Sequence, residues 1–356
     1  MQQRDKAIMR DGDGDRILVS GASGFIAKHI VLNLLQAGHR VRGTVRDTAK
    51  GEALRQTMVQ YGAPADRLSI VAADLTRDEG WEEAAAGCRA VVHTASPFPV
   101  AQPGDKFGLV PAARDGTIRV CRAAARQGVR RVVLTSSVAS VMYGHPPRTT
   151  AFGEADFSNV DSDLISPYAV SKTLAEKSAW ETLAQTQTEL VTINPSLVFG
   201  PLLDGVAGTS ARIVAMMMNG RVPALPNVRF GIVDVRDVAD AHVRAIDNPE
   251  AAGRRFLVSA DTVPLRDVTQ ILERAYPAYA RRLYSWPLPD WAVRTAARVS
   301  RRAAMLAGEL GTARRVDTAP AQDILGIRFR SVETAAVDLA ASLIRYGLVT
   351  PPAGGK

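Results

Sequence analysis

The sequence predicts an α/β protein in which a doubly wound parallel sheet is followed by a smaller C-terminal part. From Arg16 onward, short apolar runs alternate with segments of helical periodicity, a pattern typical of βαβ units. A glycine-rich turn directly follows the first apolar run. After about Asn194 the alternation loosens, and proline and glycine become frequent. We therefore expect a disordered lead over 1–15, a sheet domain over 16–194, and a second part over 195–350 with some segments returning to the sheet.

The strands and helices of the sheet domain follow from the apolar pattern. Parallel strands are buried on both faces and are therefore apolar throughout. The runs that meet this description are 17–19, 41–45, 69–72, 90–93, 131–135 and 190–193. Helical periodicity covers 25–36, 110–127 and 168–186. Two later segments, 230–235 and 255–258, are expected to return to the sheet as additional strands.

The composition is that of an ordinary globular protein. Hydrophobic residues make up 46% and charged residues 22% of the 356 residues, so a core of normal size needs neither disulfides nor metals. The two cysteines, Cys88 and Cys121, are too few for a disulfide framework and match no metal-ligand spacing. We expect no metal site and a reducing compartment.

The basic charge suggests an acidic partner but has a simpler interpretation. The formal net charge is +8, and part of the excess lies in the last quarter, at Arg294, Arg298, Arg301, Arg302, Arg314 and Arg315. No aromatic residues interleave with them as base-stacking platforms would require. A solvated helix face is therefore favoured over a nucleic-acid or anionic-membrane patch. No apolar run has spanning length and the polar start does not resemble a signal peptide, so we expect a cytoplasmic protein.

A glycine motif between the first strand and the first helix predicts a dinucleotide site. The spacing is Gly-x-x-Gly-x-x-Ala, from Gly21 to Ala27. Gly21 suits a tight turn, Gly24 lets the backbone approach a pyrophosphate, and Ala27 lets the helix pack on the strand. The helix N-terminus then offers unpaired N–H groups to the phosphates. Because the motif sits within βαβ alternation, a Rossmann-type site is favoured over a plain tight turn. The other motif residues expected at the cofactor are Ser23, Phe25 and Ile26.

The end of the second strand indicates which nucleotide is bound. An acidic residue there suits the ribose 2′-hydroxyl of NAD, whereas a cation suits the 2′-phosphate of NADP. This chain has Arg46, which grips phosphate with a planar fork, and Lys50, which adds a point charge. Asp47 is a complication, because it could pair with Arg46 or support NAD. We predict NADP(H). Further groove residues are expected after the third and fourth strands, at Asp74, Leu75, Thr94, Ala95 and Ser96.

The predicted helix after the fifth strand begins with Tyr168 and carries Lys172 four residues later. Residues at this spacing share one helix face. An adjacent ammonium is expected to lower the tyrosine pKa, which makes Tyr168 a candidate proton donor near neutral pH. The fifth strand ends in Ser136 and Ser137, at the sheet edge where ligands bind. A hydroxyl there can hydrogen-bond a substrate oxygen, although spacing does not choose between the two serines.

These motifs together resemble the extended short-chain dehydrogenase/reductases, and within them the branch of dihydroflavonol reductases, cinnamoyl-CoA reductases and microbial aldehyde/ketone reductases. The matching segments extend over roughly 16–350 and are 21–26, 41–46, 134–137, 168–172, 193–201 and 234–239. One departure is Asp115 before Gly116 and Thr117, which puts a proton relay through that helix in doubt. The family suggests a monomer or a homodimer through the long helices.

The resemblance implies a role for each matching residue. Tyr168 protonates the carbonyl oxygen as hydride leaves the nicotinamide. Lys172 binds the nicotinamide ribose and tunes Tyr168, and Ser137, rather than Ser136, orients the carbonyl. The remaining cofactor contacts implied by the motifs are Thr135, Pro195, Ser196 and Val198.

The substrate is the least determined part of the prediction. Candidate pocket residues are Phe98, Val138, Tyr143 and Met216, besides Ser137 and Tyr168. An apolar pocket of this kind suits a medium-sized aldehyde or ketone, although the methionines 216–218 are equally consistent with ordinary helix core. The insert 144–166 is expected to be a substrate lid or a surface loop. The alternatives to a carbonyl reductase are a sugar-nucleotide epimerase or steroid/alcohol dehydrogenase of the same superfamily and, more remotely, a non-catalytic NADP sensor.

Overall fold

The computed structural model describes residues 15–96, 105–146, 148–283 and 286–352. Their strands are β1 (Arg16–Ser20), β2 (Arg40–Val45), β3 (Leu68–Ala72), β4 (Cys88–His93), β5 (Arg131–Thr135), β6 (Glu189–Pro195), β7 (Leu197–Phe199), β8 (Ala224–Pro226), β9 (Arg229–Asp234), β10 (Arg255–Val258), β11 (Asp261–Pro264) and β12 (Trp286–Leu288). Their α-helices are α1 (Phe25–Gln36), α2 (Thr48–Gln60), α3 (Trp81–Ala85), α4 (Val110–Arg126), α5 (Pro167–Leu183), α6 (Thr209–Met218), α7 (Val235–Asp247), α8 (Leu265–Ala275), α9 (Ala280–Leu283), α10 (Asp290–Ala296), α11 (Arg301–Ala307), α12 (Ala319–Asp323) and α13 (Val332–Arg345).

A seven-stranded parallel sheet forms the centre of the molecule, in the order β10–β6–β5–β4–β1–β2–β3. The strand order reverses between β1 and β4, and ligands of such sheets bind in the crevice at the carboxyl ends beside that reversal. The Rossmann-type doubly wound fold predicted from the sequence is confirmed. The predicted strand over 255–258 is also confirmed as β10, which pairs with β6.

Helices cover both faces of the sheet, as strands buried on both sides require. Ile17 and Val19 of β1 point to one face and pack in a cluster with α1, α2 and α7. Leu18 points to the opposite face, where it packs with α3, α4 and α5. Because successive side chains of β1 point to opposite faces, this one strand packs against both layers of helices.

The helices that carry the candidate site begin at recognisable sequence signals. Gly24 is the N-cap of α1, in an extended conformation and without a side-chain cap. Ser166 caps α5 by accepting a hydrogen bond from the Ala169 N–H, and Pro167 occupies the first turn. These two signals place Tyr168 in the first turn of α5.

One predicted strand lies in a different sheet from the one expected. Residues 230–234 of this segment lie in β9, which pairs with β7 in parallel and with β11 in antiparallel orientation, not with the central sheet, and Val235 begins α7. The strand that pairs with β6 is β10, with Arg255 opposite Thr192, so β9 does not take the place beside β6. The expectation that 230–235 returns to the central sheet is therefore wrong.

A second hydrophobic cluster lies mainly in the C-terminal part. Helices α6, α8 and α13 pack with β7 and β9 around the buried side chains Phe199, Met217, Leu272 and Leu339. No helix in the described ranges is both long enough and apolar enough to cross a membrane.

Candidate active site

The glycine motif forms a close-packed turn at the carboxyl end of β1. Gly21 has φ +63°, and a Cβ there would lie 3.0 Å from both Cα and Cβ of Ala95. Its N–H donates to Thr44 Oγ1 at 3.1 Å, and the Gly24 N–H donates to the Gly21 carbonyl at 2.8 Å. Since Gly24 provides no side chain to cap α1, the first N–H groups of that helix face an anion-binding position. The turn fits the pyrophosphate of a dinucleotide.

The predicted 2′-phosphate residues are exposed, and Asp47 has a different role from either one expected. Arg46 and Lys50 both lie at the surface beyond β2. The Asp47 carboxylate caps α2 by accepting from the Ala49 N–H at 3.0 Å. None of the described carboxylates forms an ion pair with Arg46, so the guanidinium stays available for a phosphate.

Asp74 begins a turn after β3. Its carboxylate accepts from the Thr76 N–H at 2.8 Å and from the Thr76 hydroxyl at 2.9 Å. These two hydrogen bonds, with a smaller effect from the positive charge of Arg46, hold the Asp74 pKa below its ordinary value. Leu75 packs against Gly116 of α4, where a Cβ would lie 2.9 Å from the Leu75 Cβ.

The residues after β4 are organised by Ser20. Its hydroxyl accepts from the N–H groups of Thr94 and Ala95 at 3.0 and 3.1 Å and lies 2.7 Å from His93 Nδ1. His93 is buried, and its Nε2 has no hydrogen-bond partner among the described residues. Burial, with a smaller effect from the Lys172 charge, lowers the His93 pKa to about 3, so the imidazole is neutral. His93 was not among the predicted site residues, because a histidine ending an apolar strand gives no local signal.

Ser137 and Tyr168 meet at the carboxyl edge of β5. Ser137 caps the short 3-10 helix Val138–Ser140, accepting from the Ala139 N–H at 3.1 Å, and lies 3.4 Å from the Pro195 carbonyl. Burial raises the pKa of Tyr168, and a hydrogen bond from Ser137 opposes this rise without cancelling it. The expectation that Tyr168 has a lowered pKa is therefore wrong for this structure, because loss of hydration outweighs the hydrogen bond.

Lys172 follows Tyr168 by one turn of α5 and is half-buried. Burial lowers its pKa to about 8, while the negative charge of Glu176 raises it. Lys172 is therefore mostly an ammonium at neutral pH and begins to lose its proton just above it. The structure brings Tyr168 and Lys172, predicted from one motif, together with Ser137, predicted from another.

Two predicted residues have their hydroxyls engaged elsewhere. Ser136 donates to the buried Glu176 carboxylate at 2.5 Å. The Thr135 hydroxyl lies 2.7 Å from His242 Nε2, while His242 Nδ1 lies 2.7 Å from the Val238 carbonyl. Since a carbonyl only accepts, Nδ1 carries the proton and Nε2 accepts from Thr135. The Thr135 hydroxyl therefore faces α7, so the cofactor contact expected of Thr135 does not involve its side chain in this structure.

The residues at the end of β6 and just after it lie beside Ser137 at the carboxyl edge of the central sheet. Ser196 is held by its N–H, which donates to the Val258 carbonyl at 3.0 Å. Its buried hydroxyl, like that of Ser259, has no partner among the described residues. Pro195 and Val198 are also buried. A buried hydroxyl without a partner among the described residues leaves Ser196 available for the cofactor contact that the resemblance implies.

The candidate substrate residues fall into three groups. Val138 and Tyr143 pack beside the site, and Tyr143 is close enough to Tyr168 for their charges to interact. On α6, Met217 and Met218 are buried core residues, whereas Met216 is 46% exposed. Phe98 lies outside the described residues.

One arginine of the basic C-terminal segment packs against Tyr143. Arg314 pairs with Glu309 at 2.9 Å and donates to the Met142 carbonyl at 3.2 Å. Its guanidinium carbon lies 5.8 Å from the centre of the Tyr143 ring. Arg314 therefore holds the turn that carries Tyr143, and for this residue the expectation of a solvated face is wrong. Arg294, Arg298 and Arg315 are exposed, as expected.

Comparison with known proteins agrees with this geometry. The family model described as "NAD dependent epimerase/dehydratase family" matches residues 17–259. Cinnamoyl-CoA reductase CAD2 of Medicago truncatula is 39% identical over 273 residues, which cover 74% of this chain and 82% of that protein. Dihydroflavonol 4-reductase of Hordeum vulgare is 33% identical over 276 residues, which cover 76% and 77%. The crystal structure of yeast methylglyoxal/isovaleraldehyde reductase Gre2 complexed with NADPH has a TM-score of 0.77 at 28% identity, and the match covers 94% of this chain and 100% of that one.

Proposed function

This chain belongs to the NAD dependent epimerase/dehydratase family, in the branch of the cinnamoyl-CoA and dihydroflavonol reductases, and from this premise we propose that it reduces an aldehyde or ketone to the alcohol with NADPH. Membership confirms the resemblance predicted from the motifs and makes the chain an NAD(P)-dependent oxidoreductase. The observation that carries the proposal is the meeting of Ser137, Tyr168 and Lys172 at the sheet edge beside the glycine turn.

Each member of the group has a distinct part in the reaction. Bound NADPH would supply the hydride that the carbonyl carbon receives. Ser137 donates a hydrogen bond to the carbonyl oxygen and fixes its position, and Tyr168, protonated because burial raises its pKa, delivers the proton to that oxygen. Lys172, mostly cationic at neutral pH, holds the nicotinamide ribose and favours the developing tyrosinate.

The preference for NADPH rests on the end of β2. Arg46 is exposed and unpaired among the described carboxylates, and Lys50 lies one helical turn further along α2. Asp47 is engaged as a helix cap, so it is not directed at a ribose hydroxyl. The Gre2 structure complexed with NADPH supports the same choice.

The pocket walls suggest a medium-sized, largely apolar carbonyl substrate. Val138 and Tyr143 present apolar surface beside Tyr168, and orientation comes from the two hydroxyls of Ser137 and Tyr168. The named relatives act on cinnamoyl-CoA, dihydroflavonols and, in yeast, methylglyoxal or isovaleraldehyde. We propose an aromatic or branched aliphatic aldehyde or ketone as the substrate class.

The test is oxidation of NADPH and NADH, followed by absorbance, against a panel of aromatic and aliphatic aldehydes, ketones and a hydroxycinnamoyl thioester. We expect turnover of several panel members with NADPH and far less with NADH. Tight copurification of NAD, with no turnover of any panel member, would instead favour an epimerase.

A further inference from the structure

A buried carboxylate without a part in the proposed reaction lies directly behind the candidate site. Glu176 follows Lys172 by four residues and Tyr168 by eight on α5, so the three side chains lie along one helix face. The Glu176 side chain has an exposed fraction of 0%. Since a buried charge is costly unless it is paired and hydrogen-bonded, its partners indicate what the carboxylate does.

The first set of partners is the turn that carries Ser137. The Glu176 carboxylate accepts from Ser136 and Ser140 at 2.5 Å each, and from the Asn194 side-chain amide at 2.8 Å. The same Asn194 amide lies 3.3 Å from the Ser137 carbonyl. Ser136 and Ser140 are the residues on either side of the segment 137–139, so the carboxylate holds both ends of the turn.

The second partner is Arg255 of β10, which links Glu176 to the insert. Its Nε donates to Glu176 at 2.6 Å, and its Nη1 donates to the carbonyls of Glu154 and Asp156 at 2.5 and 2.6 Å. The guanidinium carbon lies 3.8 Å from the centre of the Phe157 ring. Glu176 is thus fixed between the catalytic turn and the insert, with its negative charge compensated by one buried guanidinium.

We propose that Glu176 is a positioning residue of the reduction site, whose carboxylate, held by Arg255, fixes the turn that bears Ser137 and places a negative charge one helical turn from Lys172. This inference rests on the proposed function and goes beyond it, because it assigns a role to a buried residue that has no part in the proposed proton and hydride transfers.

The charges around Lys172 give the proposal its distinguishing signature. Lys172 faces Tyr168 and Glu176 on its own helix and His93 from β4, and Arg255 lies behind Glu176 on β10. Among these, His93 is neutral and Glu176 is the negative charge that stabilises the ammonium. Removal of the Glu176 charge takes away the attraction that raises the pKa of Lys172, and it also leaves the positive charge of Arg255 without its counter-ion. Both effects lower the pKa of Lys172. The ammonium is then lost at lower pH.

The experiment compares Glu176→Gln with a matched control, Glu189→Gln. The control also removes the charge of a glutamate paired with a buried arginine: Arg131 Nη2 lies 2.7 Å from Glu189. That pair lies at the amino ends of β5 and β6, about 13 Å along the strand from the site. Both variants keep the side-chain volume. The measurements are the melting temperature of the cofactor-free protein, NADPH affinity by fluorescence, and the pH profile of kcat/KM with a panel aldehyde.

We expect Glu176→Gln to lower kcat roughly 10- to 100-fold at neutral pH, as a small misplacement of a catalytic hydroxyl does. NADPH affinity should stay near wild type at neutral pH. The alkaline limb of the pH profile should move down by about one unit, and NADPH affinity should weaken at correspondingly lower pH. Glu189→Gln should lower the melting temperature without moving the alkaline limb.

Several outcomes overturn the assignment. If Glu176→Gln only lowers the melting temperature, as Glu189→Gln does, and its pH profile overlies that of the wild type, Glu176 is structural. If Glu176→Gln does not fold, Ser140→Ala removes the Ser140 hydroxyl, which contacts Glu176, Ser136, Asn194 and the Ser137 carbonyl, and keeps the charge of Glu176. It should lower kcat several-fold with the alkaline limb in place, and an unchanged kcat refutes the positioning role. If the wild type turns over no substrate, the proposed function fails. The role of Glu176 is then tested separately, by comparing the pH dependence of NADPH affinity in the wild type and in Glu176→Gln.

Discussion

Gly21→Ala tests whether the glycine turn is required by backbone conformation alone or also by its contact with the segment after β4. The φ of Gly21 is +63°, and an alanine in this left-handed region costs about 1–2 kcal/mol. The added Cβ would lie 3.0 Å from Cα and Cβ of Ala95, whereas carbon atoms pack at about 3.5–4.0 Å. Ala95 must therefore move, and overpacking of this kind costs a further ~1–3 kcal/mol. We expect a total loss of about 3 kcal/mol in the free energy of unfolding.

Gly62→Ala is the matched control for this substitution. Gly62 has φ +70°, but a Cβ there would meet nothing within 4 Å. The control therefore carries only the conformational cost, about 1–2 kcal/mol, and leaves NADPH binding unchanged. The difference between the two variants isolates the contact with Ala95.

The assay is urea unfolding of both variants with NADPH titration by fluorescence. Because Ala95 and the glycine turn form one wall of the predicted phosphate site, Gly21→Ala should also weaken NADPH binding roughly 10- to 100-fold. Equal losses of unfolding free energy in the two variants would show that Ala95 accommodates the methyl group at no cost. NADPH affinity unchanged in Gly21→Ala would remove this turn from the cofactor site.

Three other predictions concern the cofactor, the proton and the pH dependence of stability. Tyr168→Phe should lower kcat by about 10²–10⁴ while NADPH affinity stays near wild type; loss of affinity instead would make Tyr168 structural. Arg46→Glu should weaken NADPH far more than NADH, and equal effects on both would exclude Arg46 from the 2′-phosphate site. His29 and His242 have pKa values lowered by burial to about 4 and His93 to about 3, from 6.5. Below about pH 6.5 the unfolded chain therefore binds protons that the folded chain does not, so each histidine should remove up to about 1.4 kcal/mol of stability per pH unit on acidification. Urea midpoints that stay constant from pH 7 to pH 5 would contradict the burial of all three.

The central sheet was predictable because its signals are local and repeated. Each parallel strand is an apolar run, and the structure extends the predicted runs by a few residues at most, as in β2 (Arg40–Val45). The helix α2 was not predicted, because its buried stripe is narrow and contains Gly51 and Thr57 besides Leu54 and Met58. The sheet to which β9 belongs was not predictable either, since strand partners depend on which edges other segments have already occupied.

The sequence by itself determined the features that depend on short spacings. The glycine turn follows a strand, and Tyr168 and Lys172 share a helix face because residues four apart always do. The position of Arg46 directly after the second strand likewise follows from the local sequence.

Spacing left open which of two adjacent serines faces Tyr168, the family resemblance implied Ser137, and the tertiary structure gives the physical reason. Adjacent residues at a strand end point in opposite directions, so the choice depends on what lies on each side. Here Glu176, from a helix forty residues later in the chain, takes the Ser136 hydroxyl and leaves Ser137 beside Tyr168. The pairing of Glu176 with Arg255 spans 79 residues, and no local pattern in the sequence encodes a contact over that separation.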